Sequence, residues 1–265
     1  MYSKMQLALK YLRYYITASN GKGHGIHSPF VFHFVTDVLN DKRGFYCYKS
    51  IEYLREELKQ NDTTLTIEDF GAGSHTKQFH QRKISSVAAS ALKPAKFSQL
   101  LFRMVNYYQP KTVLELGTSL GITTSYLACA KNDAQVITME GAPEIASVAQ
   151  QNFARLQVQN IELVTGNFDE KLPLVLTNIS SLDFVFIDGN HRKEPTLNYF
   201  NQILSKVNEH SVLIFDDIHW SEDMEKAWQE IKSHESVTLS IDLFFIGIVF
   251  FRKENKEKQH FNIRF

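Results

Sequence analysis

Acidic side chains follow two predicted strands of this 265-residue chain. Asp188 closes the run LDFVFID, and Asp216 and Asp217 close SVLIFDD. Strands in this order are expected to be neighbours about 4.8 Å apart, so the three carboxylates would converge where α/β sheets bind ligands. Because crowded carboxylates repel one another, their oxygens predict a site for a hard divalent cation such as Mg²⁺. The alternative is that one aspartate caps a turn and another holds cofactor or substrate without metal.

Two glycine-containing turns compete to bind a nucleotide-type cofactor: EDFGAGSHT at 68–76 and LELGTSLGITT at 114–124. Such a turn needs a strand before it, a helix after it and a second parallel strand beyond. The second turn has all three, and its next strand ends at Glu140, an acid that can accept hydrogen bonds from a ribose diol. The second turn is therefore predicted to hold the cofactor, with Gly117, Thr118, Ser119 and Gly121 around it.

The first turn, at 68–76, is followed by no strand within the length of a βαβ unit. It is interpreted as a tight turn after a short strand. The alternative is a mobile lid, because the segment carries several cationic or ionisable side chains: His75, Lys77, His80, Arg82 and Lys83.

The elements that must position these residues alternate from about residue 97 onward. Helical spacing of apolar residues alternates with the short apolar runs TVLEL, AQVITME, IELVTG, LDFVFID and SVLIFDD. The last two runs, VTLSI and FIGIVFF, leave no room for a helix and are predicted to pair antiparallel. The predicted fold class is α/β: a seven-stranded, mainly parallel, Rossmann-like sheet covered on both faces by helices.

The predicted organisation has three parts. Residues 1–96 form a mostly helical N-terminal extension, residues 97–252 the α/β domain, and residues 253–265 a charged tail. Lys plus Arg equals Asp plus Glu at 29 each, which argues against a general nucleic-acid binder. The two cysteines, with no CxxC, argue against a disulfide framework.

The N-terminus and the apolar runs bear on the cellular location of the protein. The N-terminus lacks the features of a signal peptide, and the longest apolar run, at 243–251, is too short for a membrane span. We therefore expect a cytoplasmic protein with no membrane partner. A homodimer is an open alternative for its assembly.

The motifs together resemble the class I S-adenosylmethionine-dependent methyltransferases. VLELGTSLGITTSYLA is similar to their first motif, VITMEG to their second, and FIDGNH and LIFDD to the later strand ends. The segment KFSQLLFRMVNYYQPKTVLELGTSLGITT resembles the O-methyltransferases of the catechol and caffeoyl-CoA type. The resemblance covers roughly residues 93–252 and implies the methyltransferase form of the Rossmann-like sheet, with an antiparallel last strand.

The resemblance also implies roles for individual residues. Glu115 would lie near the amino group of S-adenosylmethionine, and Glu140, with Gly141 beside it, near the ribose. The GNFDE turn, with Asn167 and Phe168, would flank the adenine. Asp188 would take part in cofactor binding and in catalysis, and His191 in catalysis. The metal ligands would be Asp188, Asp216 and Asp217. His191 stands where the catechol-type pattern often has a lysine, and the pair Asp216-Asp217 replaces its usual Asp-Asn.

The resulting functional prediction is a methyltransferase acting on an oxygen of a small molecule, with a divalent cation assisting. The alternatives are a methyltransferase for a larger acceptor such as a glycan or RNA, a cofactor-binding module without catalysis, and a nucleotide-dependent oxidoreductase.

Overall fold

The computed structural model of the protein describes residues 1–69 and 78–265. These residues form two compact units, which we name for their places in the sequence. The central unit is Lys42–Val175, and the terminal unit combines Met1–Asp41 with Leu176–Phe265.

The helices and strands follow the predicted alternation. In chain order the helices are α1 (Lys4–Thr17), α2 (Pro29–His33), α3 (Tyr48–Lys59), α4 (Ile84–Ala91), α5 (Ala95–Tyr108), α6 (Ile122–Ala130), α7 (Pro143–Arg155), α8 (Phe168–Thr177), α9 (Lys193–Leu204) and α10 (Glu222–Ser233). The strands are β1 (Thr64–Asp69), β2 (Gln78–Lys83), β3 (Thr112–Leu116), β4 (Gln135–Glu140), β5 (Ile161–Thr165), β6 (Leu182–Ile187), β7 (Val207–Asp216), β8 (Leu239–Asp242), β9 (Ile246–Phe250) and β10 (Gln259–Asn262). A π-helical stretch, Phe34–Leu39, continues α2.

In the central unit, β3 pairs with β4 and β4 with β5, both in parallel. Parallel pairing requires a crossover, and α6 and α7 supply the two crossovers here. Helix α5 ends where Gln109 adopts a left-handed conformation just before Pro110, a residue that cannot continue a helix. The strand–turn–helix–strand arrangement predicted around residues 114–124 is therefore confirmed.

In the terminal unit, β6 and β7 are parallel, and β9 lies antiparallel between β7 and β8. The predicted antiparallel pairing of the last two apolar runs is confirmed, as is the α/β fold class. The prediction missed β10, which pairs in parallel with β8 and adds a strand to the seven predicted. The polar segment 253–258 is a loop, after which the chain returns to the sheet with Ile263 buried.

The N-terminal part of the chain contains the predicted helices, together with a hairpin that the sequence did not indicate. Strands β1 and β2 pair antiparallel, from Thr64 opposite Lys83 to Asp69 opposite Gln78. A strand thus returns after β1, but in the antiparallel sense and without a crossover helix. Residues 70–77, which include Gly71, Gly73 and most of the 68–76 turn, lie outside the described residues, so both interpretations of that turn stay predictions.

Among the described helices, none is long and apolar enough to cross a membrane.

Candidate active site

The loop between β3 and α6 is shaped by residues with positive φ. Gly117, Ser119 and Gly121 have φ of 110°, 48° and 78°, a region that glycine adopts without steric cost. The backbone N–H groups of Gly117 and Thr118 both donate to the carbonyl of Met139, at 3.0 and 3.1 Å. The loop is thereby fixed against the end of β4, as a cofactor-binding turn requires.

Helix α7 fixes the other end of this loop. A Cβ atom on Gly121 would lie 2.5 Å from a ring carbon of Phe153, and 3.3 Å from the Cβ of Ala149. The side-chain amide of Asn152 donates to the carbonyl of Leu120 at 2.9 Å. Gly121 is therefore required by close packing of the loop on α7 as well as by its φ.

Glu115, on β3, is a buried acid with one satisfied and one unsatisfied oxygen. Oε2 accepts hydrogen bonds from the hydroxyls of Thr124 and Thr138, at 2.5 and 2.7 Å. Oε1 is buried and accepts no hydrogen bond from any residue in the described parts of the chain. Burial raises the pKa of Glu115 to about 7, although the two threonine hydrogen bonds lower it. A buried acceptor without a donor is expected to have a ligand as its missing partner.

Glu140, at the end of β4, is held by backbone amides. Oε2 accepts from the N–H of Ser119 at 2.8 Å, and Oε1 from the N–H of Ala142 at 3.0 Å. Burial raises the pKa of Glu140, and the backbone hydrogen bonds partly offset the rise. A Cβ atom on the next residue, Gly141, would meet no atom within 4 Å, so there is open space beside this carboxylate.

The remaining predicted cofactor residues have local partners. The hydroxyl of Thr118 lies 2.6 Å from that of Thr138, and the hydroxyl of Ser119 is buried with no partner among the described residues. Asn167 immediately precedes α8, and its side-chain oxygen accepts the N–H of Asp169 at 2.9 Å. The segment predicted as a turn beside the adenine is thus the start of a helix, and Phe168 is its first residue.

In the terminal unit, Asp188, His191 and Asp216 form a group at the ends of β6 and β7. One potential ligand atom from each lies within 4.8 Å of the others. Nε2 of His191 is 3.6 Å from Oδ1 of Asp188, and Asp216 is buried. Two carboxylates and an imidazole at these separations have the donor chemistry to hold a divalent cation.

Asp217 does not belong to this group of ligand atoms. Its backbone is left-handed, with φ of 53°, and its N–H donates to the carbonyl of Phe245 at 2.8 Å. Its own carbonyl accepts the N–H of Trp220 at 2.9 Å. The group therefore differs by one residue from the predicted ligand set of Asp188, Asp216 and Asp217, because the reversal of the chain after β7 separates neighbouring side chains.

His219, two residues after Asp217, lies in a network of charged side chains. Its ring nitrogens contact Glu225 at 3.0 Å and Asp242 at 2.9 Å, and its ring stacks on Phe244. Burial by itself lowers the pKa of His219, but the contacts with Asp242 and Glu225 outweigh it, and the pKa is raised. Asp242 also accepts the indole N–H of Trp228. No sequence spacing links these residues, so sequence reasoning missed the network.

A family model described as "Methyltransferase domain" matches residues 114–218. Residues 114–218 of the chain are therefore similar to a methyltransferase domain. The match begins one residue before Glu115 and ends one residue after Asp217. The cofactor-type loop and the Asp188–His191–Asp216 group thus both lie within the matched residues. The wider predicted boundaries, 97 and 252, stay a prediction.

Individual proteins show the same likeness. An O-methyltransferase, imqG, from Aspergillus flavus is 29% identical over 114 residues, which cover 41% of this chain and 45% of that protein. The chain thus spans less than half the length of this curated relative. A structure of a putative O-methyltransferase from Klebsiella pneumoniae is similar with a TM-score of 0.57 and 18% identity, covering 80% of this chain and 92% of that one.

An O-methyltransferase from Bacillus cereus, solved in complex with SAH, has a TM-score of 0.55 and 20% identity, covering 83% of this chain and 97% of that chain. At 18% and 20% identity, these structural likenesses show the fold of the chain alone.

Proposed function

We propose that the protein transfers a methyl group from S-adenosylmethionine to an oxygen of a small molecule. The observation that carries the proposal is Oε1 of Glu115, a buried acceptor that lacks a donor within the described chain. The cationic amino group of the cofactor is a donor of suitable charge. The pyrophosphate of a nicotinamide dinucleotide is anionic and would add negative charge beside this acid.

The central unit offers the other features that S-adenosylmethionine needs. The carboxylate of Glu140 retains lone pairs after accepting two backbone N–H groups, so it can also accept the ribose hydroxyls. Open space beside Gly141 leaves room for them. The sulfonium of the bound cofactor supplies an activated methyl group, so the protein must bind, orient and remove a proton.

In the terminal unit, we assign the Asp188–His191–Asp216 group to the acceptor. The carboxylates of Asp188 and Asp216 would hold a divalent cation, which favours ionisation of an acceptor hydroxyl. His191, whose Nε2 lies 3.6 Å from Oδ1 of Asp188, would take the proton of that hydroxyl. The sulfonium of S-adenosylmethionine, when bound, would supply the methyl group to the acceptor oxygen and keep the electron pair of the broken carbon–sulfur bond.

A binding experiment tests the choice of cofactor. Calorimetric titration of the full chain with S-adenosylhomocysteine is expected to show saturable binding, and titration with NAD none. Gly117→Val should abolish binding, because a branched side chain fills the loop at a positive φ. Gly44→Val is the control, since a Cβ at Gly44 meets no atom within 4 Å. Binding of NAD alone would favour the oxidoreductase alternative.

A second experiment tests the metal group without an activity assay. Manganese binding, followed by electron paramagnetic resonance, is expected to weaken at least about tenfold in Asp216→Asn. Asp217→Asn should leave it nearly unchanged, because Asn tolerates the left-handed backbone of Asp217. Equal losses in both variants would restore the predicted three-aspartate set. A loss in His191→Ala as large as in Asp216→Asn would make His191 a ligand and remove it as the base.

A further inference from the structure

Helix α1 presents an apolar stripe to solvent. Met5, Leu9, Leu12 and Ile16 are 72%, 60%, 56% and 68% exposed. Their spacing of four, three and four residues places them on one face of the helix. Single exposed apolar residues are common, but an aligned set of four on one helix marks an interaction surface.

The opposite face of α1 is attached to the terminal unit, which fixes the direction of the stripe. The Tyr11 ring packs edge-on against Phe244, with centroids 5.0 Å apart. The Tyr14 hydroxyl donates to the carbonyl of Asp242 at 2.8 Å, and Lys10 is paired with Glu225 at 3.0 Å. The helix therefore cannot bury its stripe by rotating without breaking these contacts.

The charged residues of α1 itself are all positive. At 3.6 residues per turn, Lys4 and Arg13 lie on opposite sides of it, and both are exposed. Neither makes an ion pair with any residue that the structure describes. The first acidic residue of the chain is Asp37, so α1 contains no acid at all. An apolar stripe between cations fits a partner that is apolar inside and anionic at its surface.

We propose that α1 binds the surface of a membrane that contains anionic lipids, with its stripe among the acyl chains and its cations at the headgroups. At 1.5 Å per residue, its 14 residues span about 21 Å, so the helix lies in the interface rather than crossing a core of about 30 Å. A second copy of the chain fits less well, because facing stripes would bring two sets of cations together without an acid on either helix.

Vesicle sedimentation of the full chain tests this proposal. We expect binding to phosphatidylcholine vesicles that contain phosphatidylglycerol, little binding to phosphatidylcholine alone, and weaker binding at high salt. Leu9→Gln/Leu12→Gln should lower the partition coefficient at least about tenfold, and Arg13→Gln about fivefold. The matched control is Tyr53→Gln/Leu174→Gln, two side chains exposed by 69% and 61% outside α1, which should change nothing.

Melting temperatures of all variants are expected to match the wild type, because each substituted side chain is exposed. Equal partition of the Leu9→Gln/Leu12→Gln variant and the wild type would overturn the proposal. The proposal would also be overturned if the wild type did not bind anionic vesicles but formed a dimer in light scattering, and if the Leu9→Gln/Leu12→Gln variant were a monomer. That second result would assign the stripe to another copy of the chain.

Discussion

Two buried acids, Glu115 in the central unit and Asp242 in the terminal unit, have opposite surroundings. Both oxygens of Asp242 are occupied: Oδ1 by the N–H of Phe244, and Oδ2 by the ring nitrogens of His219 and Trp228. Glu115 uses Oε2 for two threonines and leaves Oε1 without a donor in the described chain. An acid with a complete set of partners stabilises the fold, whereas one with a missing donor is held ready for a ligand.

The neighbours of the two acids also differ in charge. Asp242 is paired with His219, and the contacts with Asp242 and Glu225 raise the pKa of that histidine. Around Glu115 the donors are neutral hydroxyls, and the nearest charged influence on its pKa is Glu140, which raises it further. The central unit thus concentrates negative potential where a cationic cofactor would bind.

The largest expected effect is on Asp242. Replacement by Ala leaves His219 and the Trp228 indole without their acceptor in a buried place, which is expected to cost about 3–5 kcal/mol of unfolding free energy. Urea unfolding followed by circular dichroism measures it. Glu222→Gln on α10 is the control, since Glu222 is exposed and its ion pair with Lys226 is expected to contribute little to stability. A loss of unfolding free energy no larger than that of the control would show that Asp242 does not stabilise the fold.

The next effect is the pH dependence caused by Glu115. Burial raises the pKa of Glu115 to about 7 in the folded state, whereas the usual value of a glutamate is 4.5. The folded state therefore holds the proton more tightly than the unfolded state. The resulting stability is complete below about pH 4.5 and is lost as pH rises through about 7, a difference of roughly 3 kcal/mol. Glu115→Gln should remove this slope from stability measured against pH.

Two further measurements sharpen the contrast between the acids. The raised pKa of His219 contributes stability that is lost only at higher pH, as pH rises from its usual value of 6.5 through the folded value. Glu115→Gln should leave unchanged this loss of stability at higher pH, which we call the upper slope; the loss between about pH 4.5 and 7 is the lower slope. Saturating S-adenosylhomocysteine should flatten the lower slope alone, because the ligand's amino group stabilises the ionised carboxylate. Unchanged slopes in both the variant and the complex would contradict the assignment of Glu115.

Much of the fold could be predicted because the apolar runs are short and separated by clear stops. The strands TVLEL and AQVITME lie where the sequence predicted them. The strand β10 could not be predicted, since QHFN alternates weakly and its partner β8 lies 20 residues earlier along the chain. The hairpin β1–β2 was not predicted for a similar reason, because its second strand, QFHQRK, is mostly polar and carries no strand signal.

The candidate site was predictable where chain order decides it. Glu115 and Glu140 follow from one strand–turn–helix–strand unit, and Asp188 and Asp216 from the ends of adjacent parallel strands. The separation of Asp217 from Asp216 depends on a left-handed residue, which a sequence pattern does not reveal. His191 joins the group because the chain turns through Asn190, with φ of 60°, after Asp188.

The affinity for S-adenosylhomocysteine of the wild type and of Glu140→Ala, measured by calorimetry, tests the central claim most directly. Glu162→Gln, an exposed acid on β5, is the control. The proposed function predicts that Glu140→Ala raises the dissociation constant about ten- to a hundredfold, through the loss of about 1.5–3 kcal/mol of charged hydrogen bonding, while Glu162→Gln leaves it unchanged. Equal affinity in all three proteins would contradict a cofactor site at the ends of β3 and β4.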